Sequence, residues 1–538
     1  MEVSLAITAT AVGAICHILF FNRGEHHLYG MQYALSFSTV VIGLACGPLL
    51  VGEKVPFLLS QALSAAAWYI GGVYLSLLIY RLWLHPLNHF PGPFAARLTS
   101  LWLSTQLGKG DAHRKVLELH EKYGDFVRVG SSDLSIIHPE GVTAVYGPAS
   151  GCELGAWYDL DVPMISLQTT RDKNIHRQYR RIWSEAFSDN AVRGYEERIM
   201  RYRAKLISHL SQSASQGKPV DMTLWFNFYT FDVMGDLAFG HSFNMLETSQ
   251  QHWAISILHA GLRAFSIHAP MWFFRFFMAI PGLGGDFHRY VAFCCDTLDK
   301  RLKTEVETPD IMSTLLKPWE GAPMPEHGLK LLQGDSRLLI VAGSDSTGAT
   351  LTHILYELVR NPEHIEKLRN ELAPYVADGQ VDFQKIQSLP HLNCVIDETL
   401  RLHPPVPTVL PRRTPPEGIT VGNVHVPGEM TVWCPQYAIG RTESLYKQAN
   451  SFIPERWSSR PEMVTDKRVF APFSHGPTAC IGKKFALQNT RNTISEIITK
   501  FDVKPSEFGD IEYLEEGTRD NFTMELPCLR LSFASRKT

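Results

Sequence analysis

The chain has 538 residues, 45% of them apolar and 20% charged, with a formal net charge of −3. This globular balance excludes a disordered or collagen-like chain and leaves no polyelectrolyte basis for holding nucleic acid. Nine cysteines are scattered with no CxxC pair, which argues against a zinc ribbon or disulfide framework and for mostly reduced thiols in a cytosolic setting.

Residues 3–22, 31–52 and 55–80 carry no Asp, Glu, Lys or Arg, and each is close to the ~20 apolar residues that cross a bilayer as a helix. A cleaved signal peptide is the alternative for the first stretch. It lacks a basic leader, Glu2 being the only charge before it, and two further apolar stretches follow. The expectation is a membrane anchor over residues 1–85 with three transmembrane helices. Tyr80-Arg81-Leu82-Trp83 gives the third an aromatic and basic edge. Arg81 on the cytosolic side, with an odd number of crossings, puts the N-terminus in the lumen. HPLNHFPGPFAARL (85–98) follows, whose prolines stop any helix and make either a stiff spacer or an ordinary loop.

Beyond it there is no internal repeat or second linker. Residues 113–124, 176–189, 191–215 and 362–376 show apolar positions at three- and four-residue spacing, the helical period. Residues 336–361 are apolar on nearly every side, which predicts a buried central helix. Strand-like alternation is confined to stretches such as FVRVG, LSIIH, ITVGNVHVPG and MTVWCP. The predicted fold is mainly α with a small β-sheet, one large domain over residues 86–538, preceded by the N-terminal transmembrane helices.

Several short patterns carry chemistry. In HRQYR (176–180), His176 and Arg180 stand one turn apart and can face one anion; solvated basic residues are the alternative. AGSDST (342–347) sets Ala342 and Gly343 ahead of a carboxylate, Asp345, and a hydroxyl, Ser346, inside the central helix. ETLR (398–401) puts Glu398 and Arg401 on one helical face, a weak signal alone. In FSHGPTACIG (473–482), Cys480 lies between Gly476 and Gly482. Glycines there permit a tight turn and the close approach of a flat group. A helix start at Ile481 brings backbone N–H groups and a positive helix end near the sulfur, an environment that lowers a thiol pKa. A free cysteine commonly packs as a small hydrophobe; a thiolate with no ligand pair nearby suits a single axial bond to haem iron.

FSHGPTACIG resembles F-x-x-G-x-R-x-C-x-G, the haem-binding signature of the cytochromes P-450, the heme-thiolate monooxygenases. Phe473, Gly476, Cys480 and Gly482 match; Thr478 stands where the family has an arginine that pairs with a haem propionate. The resemblance covers Pro86 to Thr538 and is nearest to the microsomal enzymes of filamentous fungi, although three apparent spans depart from the single anchor usual there. It implies heme b with Cys480 as the iron ligand. Its propionates would meet His176, Arg180 and Arg412 of PRR (411–413). His475 either compensates for Thr478 or lies on the proximal surface. Ala342 and Gly343 would let the haem and oxygen approach the central helix, and Asp345 with Ser346, a serine where the family favours threonine, would deliver protons. Glu398, Arg401 and Arg456 of FIPERW (452–457) would form a structural triad behind the cysteine loop.

The implied activity is oxidation of a lipophilic small molecule with O2, in fungal secondary metabolism, at the endoplasmic reticulum membrane with the catalytic domain cytosolic. Electrons would come from an NADPH-cytochrome reductase, and in some cases cytochrome b5, because the chain shows no G-x-G-x-x-G fingerprint of its own. Lys483 and Lys484 would offer a basic docking face, or are simply solvated. By position, Leu338, Leu339, Ala342, Val406, Thr408, Val409 and Leu410 line the substrate pocket. The rival readings are a heme-thiolate isomerase or dehydrase that needs no external electrons, and a non-catalytic haem-binding membrane protein. Asp345 together with Ser346 argues against both.

Overall fold

The computed structural model describes residues 2–536 except 47–54, 108–109, 264–267, 281, 307 and 322. Three apolar helices come first: α1 (Glu2–Cys16), α2 (Gly30–Cys46) and α3 (Val55–Ile79). Wider turns, His17–Phe21 and Tyr80–Leu84, extend α1 and α3. The resulting segments Val3–Phe21 and Leu59–Leu84 are long and apolar enough to cross a bilayer. α2 is shorter at 17 residues, and positions 47–52 of the expected second span lie outside the described residues. α1 and α3 lie side by side and parallel. A Cβ on Gly13 would overlap the Tyr69 carbonyl oxygen, and one on Gly72 that of Thr10. Further along both helices, His17 Nδ1 is 2.9 Å from Ser76 Oγ. Small residues at the crossing are what allow two backbones to come so close.

The rest of the chain is mainly helical with small sheets. Its axis is the central helix Glu326–Arg360, 35 residues long and hence about 52 Å at 1.5 Å per residue. It packs on Met222–Phe239, a helix buried on nearly all faces. Glycines permit that approach: a Cβ at Gly343 would sit 2.6 Å from Met234 Cε, and one at Gly348 2.8 Å from Asn227 Oδ1. Other helices start where the sequence caps them. Asp172 Oδ1 accepts the N–H groups of Asn174 and Ile175 at 2.8 and 3.0 Å, opening the helix Lys173–Ala186. Pro390 opens Pro390–Leu402.

The largest sheet runs Phe126–Arg128, Asp133–Ile136, Thr431–Trp433, Arg412–Arg413, Glu153–Leu154 in spatial order. Thr431 pairs with Asp133 in parallel and with Arg413 antiparallel. FVRVG, LSIIH and MTVWCP thus supply three of its strands, while ITVGNVHVPG makes a separate hairpin, Ile419–Val421 with Val424–Val426. Because side chains alternate along a strand, the pair Arg412–Arg413 sends one guanidinium into the interior and leaves the other half-buried on the opposite face.

Candidate active site

Between the central helix and the loop ahead of helix Lys483–Lys500 lies a cavity of about 360 Å³, in the range of small-molecule pockets. Ala342, Gly343 and Ser346 bound it on one side, Phe473, Thr478, Cys480 and Gly482 on the other, and His176, Arg180 and Arg412 at the flank.

The loop that carries Cys480 is bent by left-handed backbone at Ser474 (φ 57°) and Gly476 (φ 68°). A Cβ on Gly476 would overlap the Tyr146 carbonyl oxygen, so this glycine serves the turn and an approach to protein backbone rather than to a ligand. The Cys480 N–H donates to Phe473 O at 2.8 Å and closes the loop. Gly482 is different: at φ −81° its Cβ would meet only ordinary contacts, Phe187 at 3.8 Å and Cys480 Sγ at 4.0 Å. No protein neighbour requires a glycine there, and the space it leaves beside the sulfur belongs to whatever fills the cavity.

The free surface of Cys480 lines the cavity, yet dense protein surrounds the group. Burial holds its pKa above the ordinary value, against the Gly482 N–H, the Arg180 and Lys483 charges and the Lys483 N–H, which pull it down. The helix-end amides expected near the sulfur are therefore present, with two cations besides, but desolvation outweighs them all and the net shift is upward, opposite to the expectation.

His176 is buried and Arg180 half-buried on Lys173–Ala186, both at the cavity wall. Neither side chain has a hydrogen-bond or ion-pair partner among the described residues. Desolvation, with the Arg180 and Arg412 charges, lowers the pKa of His176, and burial lowers that of Arg180. Arg412 is buried over the ring of Tyr146, 5.0 Å from its centroid. It donates to Tyr158 Oη and to Thr478 Oγ1, each at 2.9 Å. The residue standing in place of the family's arginine is thus tied directly to Arg412. His475 is not among the lining residues, so the compensating contact at Thr478 comes from Arg412 instead. Ser474 Oγ, also at the cavity, is buried with no hydrogen-bond partner among the described residues. The unpartnered Arg180 guanidinium, the imidazole of His176, an orphaned hydroxyl, a desolvated thiol and open space beside it suit a flat group with an anionic edge and a thiophilic metal.

Asp345 and Ser346 part company. Consecutive helix residues point about 100° apart. Ser346 faces the cavity and donates to Ala342 O at 2.7 Å. Asp345 turns away, accepts a short hydrogen bond from Thr523 Oγ1 and lies 3.5 Å from His259 Nε2. These three line a second cavity of about 190 Å³, and Thr523 lines both. Burial lowers and the Asp345 carboxylate, with Glu525, raises the His259 pKa; the carboxylates win. Thr523, on the hairpin Arg519–Asn521 with Thr523–Glu525, was not foreseen, since it lies 178 residues from Asp345 in sequence. Ala342 is exposed to the cavity as expected, whereas the small size of Gly343 serves Met234.

Of the expected pocket residues, Leu338, Leu339, Ala342, Val406 and Leu410 line the cavity. Thr408 does not: its hydroxyl donates to the buried Asp520 Oδ2 at 2.5 Å. Val409 packs instead with Leu119, Val127 and Trp433. Trp157, Tyr158, Tyr290, Arg337 and Phe522 complete an aromatic wall with one cation that no motif announced.

Behind the loop, Glu398, Arg401 and Arg456 are fully or almost fully buried together. Arg401 donates to both Glu398 oxygens at 2.9 and 2.7 Å, and Arg456 Nε to Oε1 at 2.9 Å. Trp457 Nε1 and the Ile453 N–H complete the carboxylate's partners at 2.9 and 2.8 Å. The guanidiniums spend their remaining donors on the carbonyls of Gly440 and Met463 and on carbonyls between residues 447 and 451, which is how buried charges are made tolerable. At the surface Lys484 pairs with Asp189 at 2.7 Å, and Lys483 lies over the Phe473 ring, 5.6 Å from its centroid.

The sequence profile of the cytochrome P-450 family matches residues 91–529. The chain is 43% identical to the tryprostatin B 6-hydroxylase of Aspergillus fumigatus, over 97% of this chain and 95% of that protein. It is 42% identical to the protein of the same name from Neosartorya fischeri, over 97% of each. With the cytochrome P-450 monooxygenase notG′ of Aspergillus versicolor it shares 45% identity, over 95% of this chain and 94% of that protein.

Proposed function

The chain belongs to the cytochrome P-450 family and is an oxygenating oxidoreductase, and from that premise we propose that it is a membrane-bound monooxygenase that hydroxylates a lipophilic small molecule of fungal secondary metabolism. The observation that carries the reading is that one cavity holds the Cys480 thiol together with the unpartnered Arg180 and His176.

The family's haem iron, ligated by a cysteine thiolate, supplies O2 activation when bound, with electrons from a redox partner. In this chain Cys480 would hold the iron of heme b, and Arg180, His176 and Arg412 its propionates. Thr478 fixes the Arg412 fork through its hydroxyl. Trp157, Tyr158, Tyr290 and Phe522, with Leu338 and Val406, exclude water and orient an apolar substrate above Ala342. Ser346 Oγ holds a proton at the cavity, while Asp345 faces a polar second cavity through which protons are replenished, with Thr523 as the contact between the two spaces. An NADPH-cytochrome reductase, assisted by cytochrome b5, would dock on the Cys480 side near Lys483. The apolar segments Val3–Phe21 and Leu59–Leu84 support anchoring in the endoplasmic reticulum membrane with the body on the cytosolic side. Two relatives are named for 6-hydroxylation of tryprostatin B, which makes that compound the first substrate to try.

The test is the carbon-monoxide difference spectrum of reduced membranes, followed by incubation with reductase, NADPH, O2 and tryprostatin B. A thiolate-type Soret band that Cys480→Ala abolishes, and an NADPH-dependent product heavier by one oxygen, are expected. Turnover without NADPH marks an isomerase or dehydrase. Bound haem that consumes no O2 with any ligand marks a non-catalytic protein.

A further inference from the structure

The connection between α1 and α2 holds charged and titratable groups, among them Arg23, Glu25 and His27, in a region otherwise almost free of charge. Two of these side chains reach the catalytic body. Glu25 accepts two bonds from Arg171 Nη2, at 2.8 and 3.0 Å, and lies 3.6 Å from Arg413 Nη1. His27 Nε2 is 2.7 Å from Asp159 Oδ2, the oxygen that Arg171 Nη1 also holds. Arg171 Nε donates to Leu154 O at 2.9 Å, and Arg275, on the helix Met271–Met278, donates to Asp159 O at 2.8 Å. α2 itself packs against that helix.

Exposed ion pairs contribute little, but this network is shielded. The side chains of His27, Asp159, Arg171 and Glu25 are 10, 13, 20 and 26% exposed, and each carboxylate faces two basic side chains, Arg171 and Arg413 for Glu25 and His27 and Arg171 for Asp159. Connected polar groups of this kind fix geometry better than isolated pairs. The segment they grip is the cavity's roof: Leu154, Trp157, Tyr158, Leu160 and Gln168 all line it. The strand alternation noted above completes the link, since Arg412 reaches the cavity while its neighbour Arg413 reaches Glu25.

We propose that residues 22–29 form a strut by which the anchor holds the cavity roof, with Asp159, Arg171 and Arg413 as the docking surface on the body. The parallel pairing of α1 with α3 fixes its topology. The end of α1 and the exit of α3 lie on one side, so the loop sits with the body and the start of α1 lies across the membrane. The anchor is thereby part of the substrate chamber, a role that goes beyond the monooxygenase reading and does not depend on it.

The test uses the full chain in lipid nanodiscs. Glu25→Ala with His27→Ala should raise backbone hydrogen exchange over residues 154–171 by about tenfold, with Glu25→Gln intermediate, and leave the buried helix Pro390–Leu402 unchanged. Unaltered exchange over 154–171 overturns the strut. A glycosylation acceptor fused ahead of Met1 should be modified in microsomes; an unmodified acceptor puts the start of α1 on the body's side and also overturns it. The carbon-monoxide spectrum is read on the same samples. Its failure in every variant would sink the monooxygenase reading while leaving the exchange result to decide the strut.

Discussion

Arg412 and Thr478 illustrate how a departure from a family pattern is absorbed at the scale of one residue. A buried guanidinium needs acceptors, and Arg412 finds them in Tyr158 Oη, Thr478 Oγ1 and the Pro411 carbonyl. Thr478 was legible in sequence as a missing cation; that its hydroxyl serves the next cation was not, since 66 positions separate the two. Asp335 was invisible to motif reasoning altogether. Fully buried on the central helix, it accepts Leu167 N–H at 2.9 Å and Trp183 Nε1–H at 3.2 Å, and so ties two cavity-wall residues to that helix. Burial, against those two bonds, raises its pKa to about 7. An unfolded aspartate ionises near 3.9, so between these values the folded state binds the extra proton. The contribution of Asp335 to stability is then greatest below about pH 4 and falls as pH rises toward 7, by roughly 1.4 kcal/mol per pH unit. Asp335→Asn removes this titration. Denaturation in detergent from pH 5 to 7.5 should show the variant gaining about 2–3 kcal/mol on the wild type across that range. A gap that does not change with pH would mean Asp335 is ionised in the folded protein.

At the scale of elements, the central helix shows what periodicity reveals and what it leaves out. Its all-round apolar character announced burial, and AGSDST located its polar interruption. The facing of each residue is set by partners far away in sequence: the hairpin at 519–525 receives Asp345, and Met222–Phe239 receives Gly343. The Glu398–Arg401 pair was easier to read, because a three-residue spacing on a helix brings both ends together without outside help. If Asp345 works from the second cavity, its route to the first passes Thr523. Thr523→Val keeps the shape and removes the hydroxyl. With the reductase present, it should lower product formed per NADPH severalfold, less than the roughly 10²–10⁴-fold that a group transferring the proton directly contributes. Asp345→Asn should do likewise, and the double variant should be no worse than the more severe single one, as for groups acting in series. Wild-type coupling in Thr523→Val would give the proton another path, by Ser346 alone.

For the whole molecule, the apolar stretches were legible because bilayer thickness dictates length, but their mutual arrangement was not, because it rests on two glycines whose partners lie some sixty positions away. Gly72 has a twin that makes this testable. A Cβ on Gly72 overlaps the Thr10 carbonyl, whereas one on Gly71 meets nothing within 4 Å. Leucine at either position adds the same helix propensity and the same hydropathy to α3, so only packing distinguishes the two variants. Gly72→Leu must push α1 off α3, and the loop at 22–29 moves with the end of α1. Its grip on Arg171 and Asp159 weakens in turn, although Gly72 itself meets Thr10 of α1 and is not among the residues that line the cavity. Hydrogen exchange over 154–171 should therefore rise by about tenfold in Gly72→Leu and stay at the wild-type rate in Gly71→Leu. Equal exchange in the two variants would show that the roof is set by the body alone, and that the helix pair does no more than hold the protein at the bilayer.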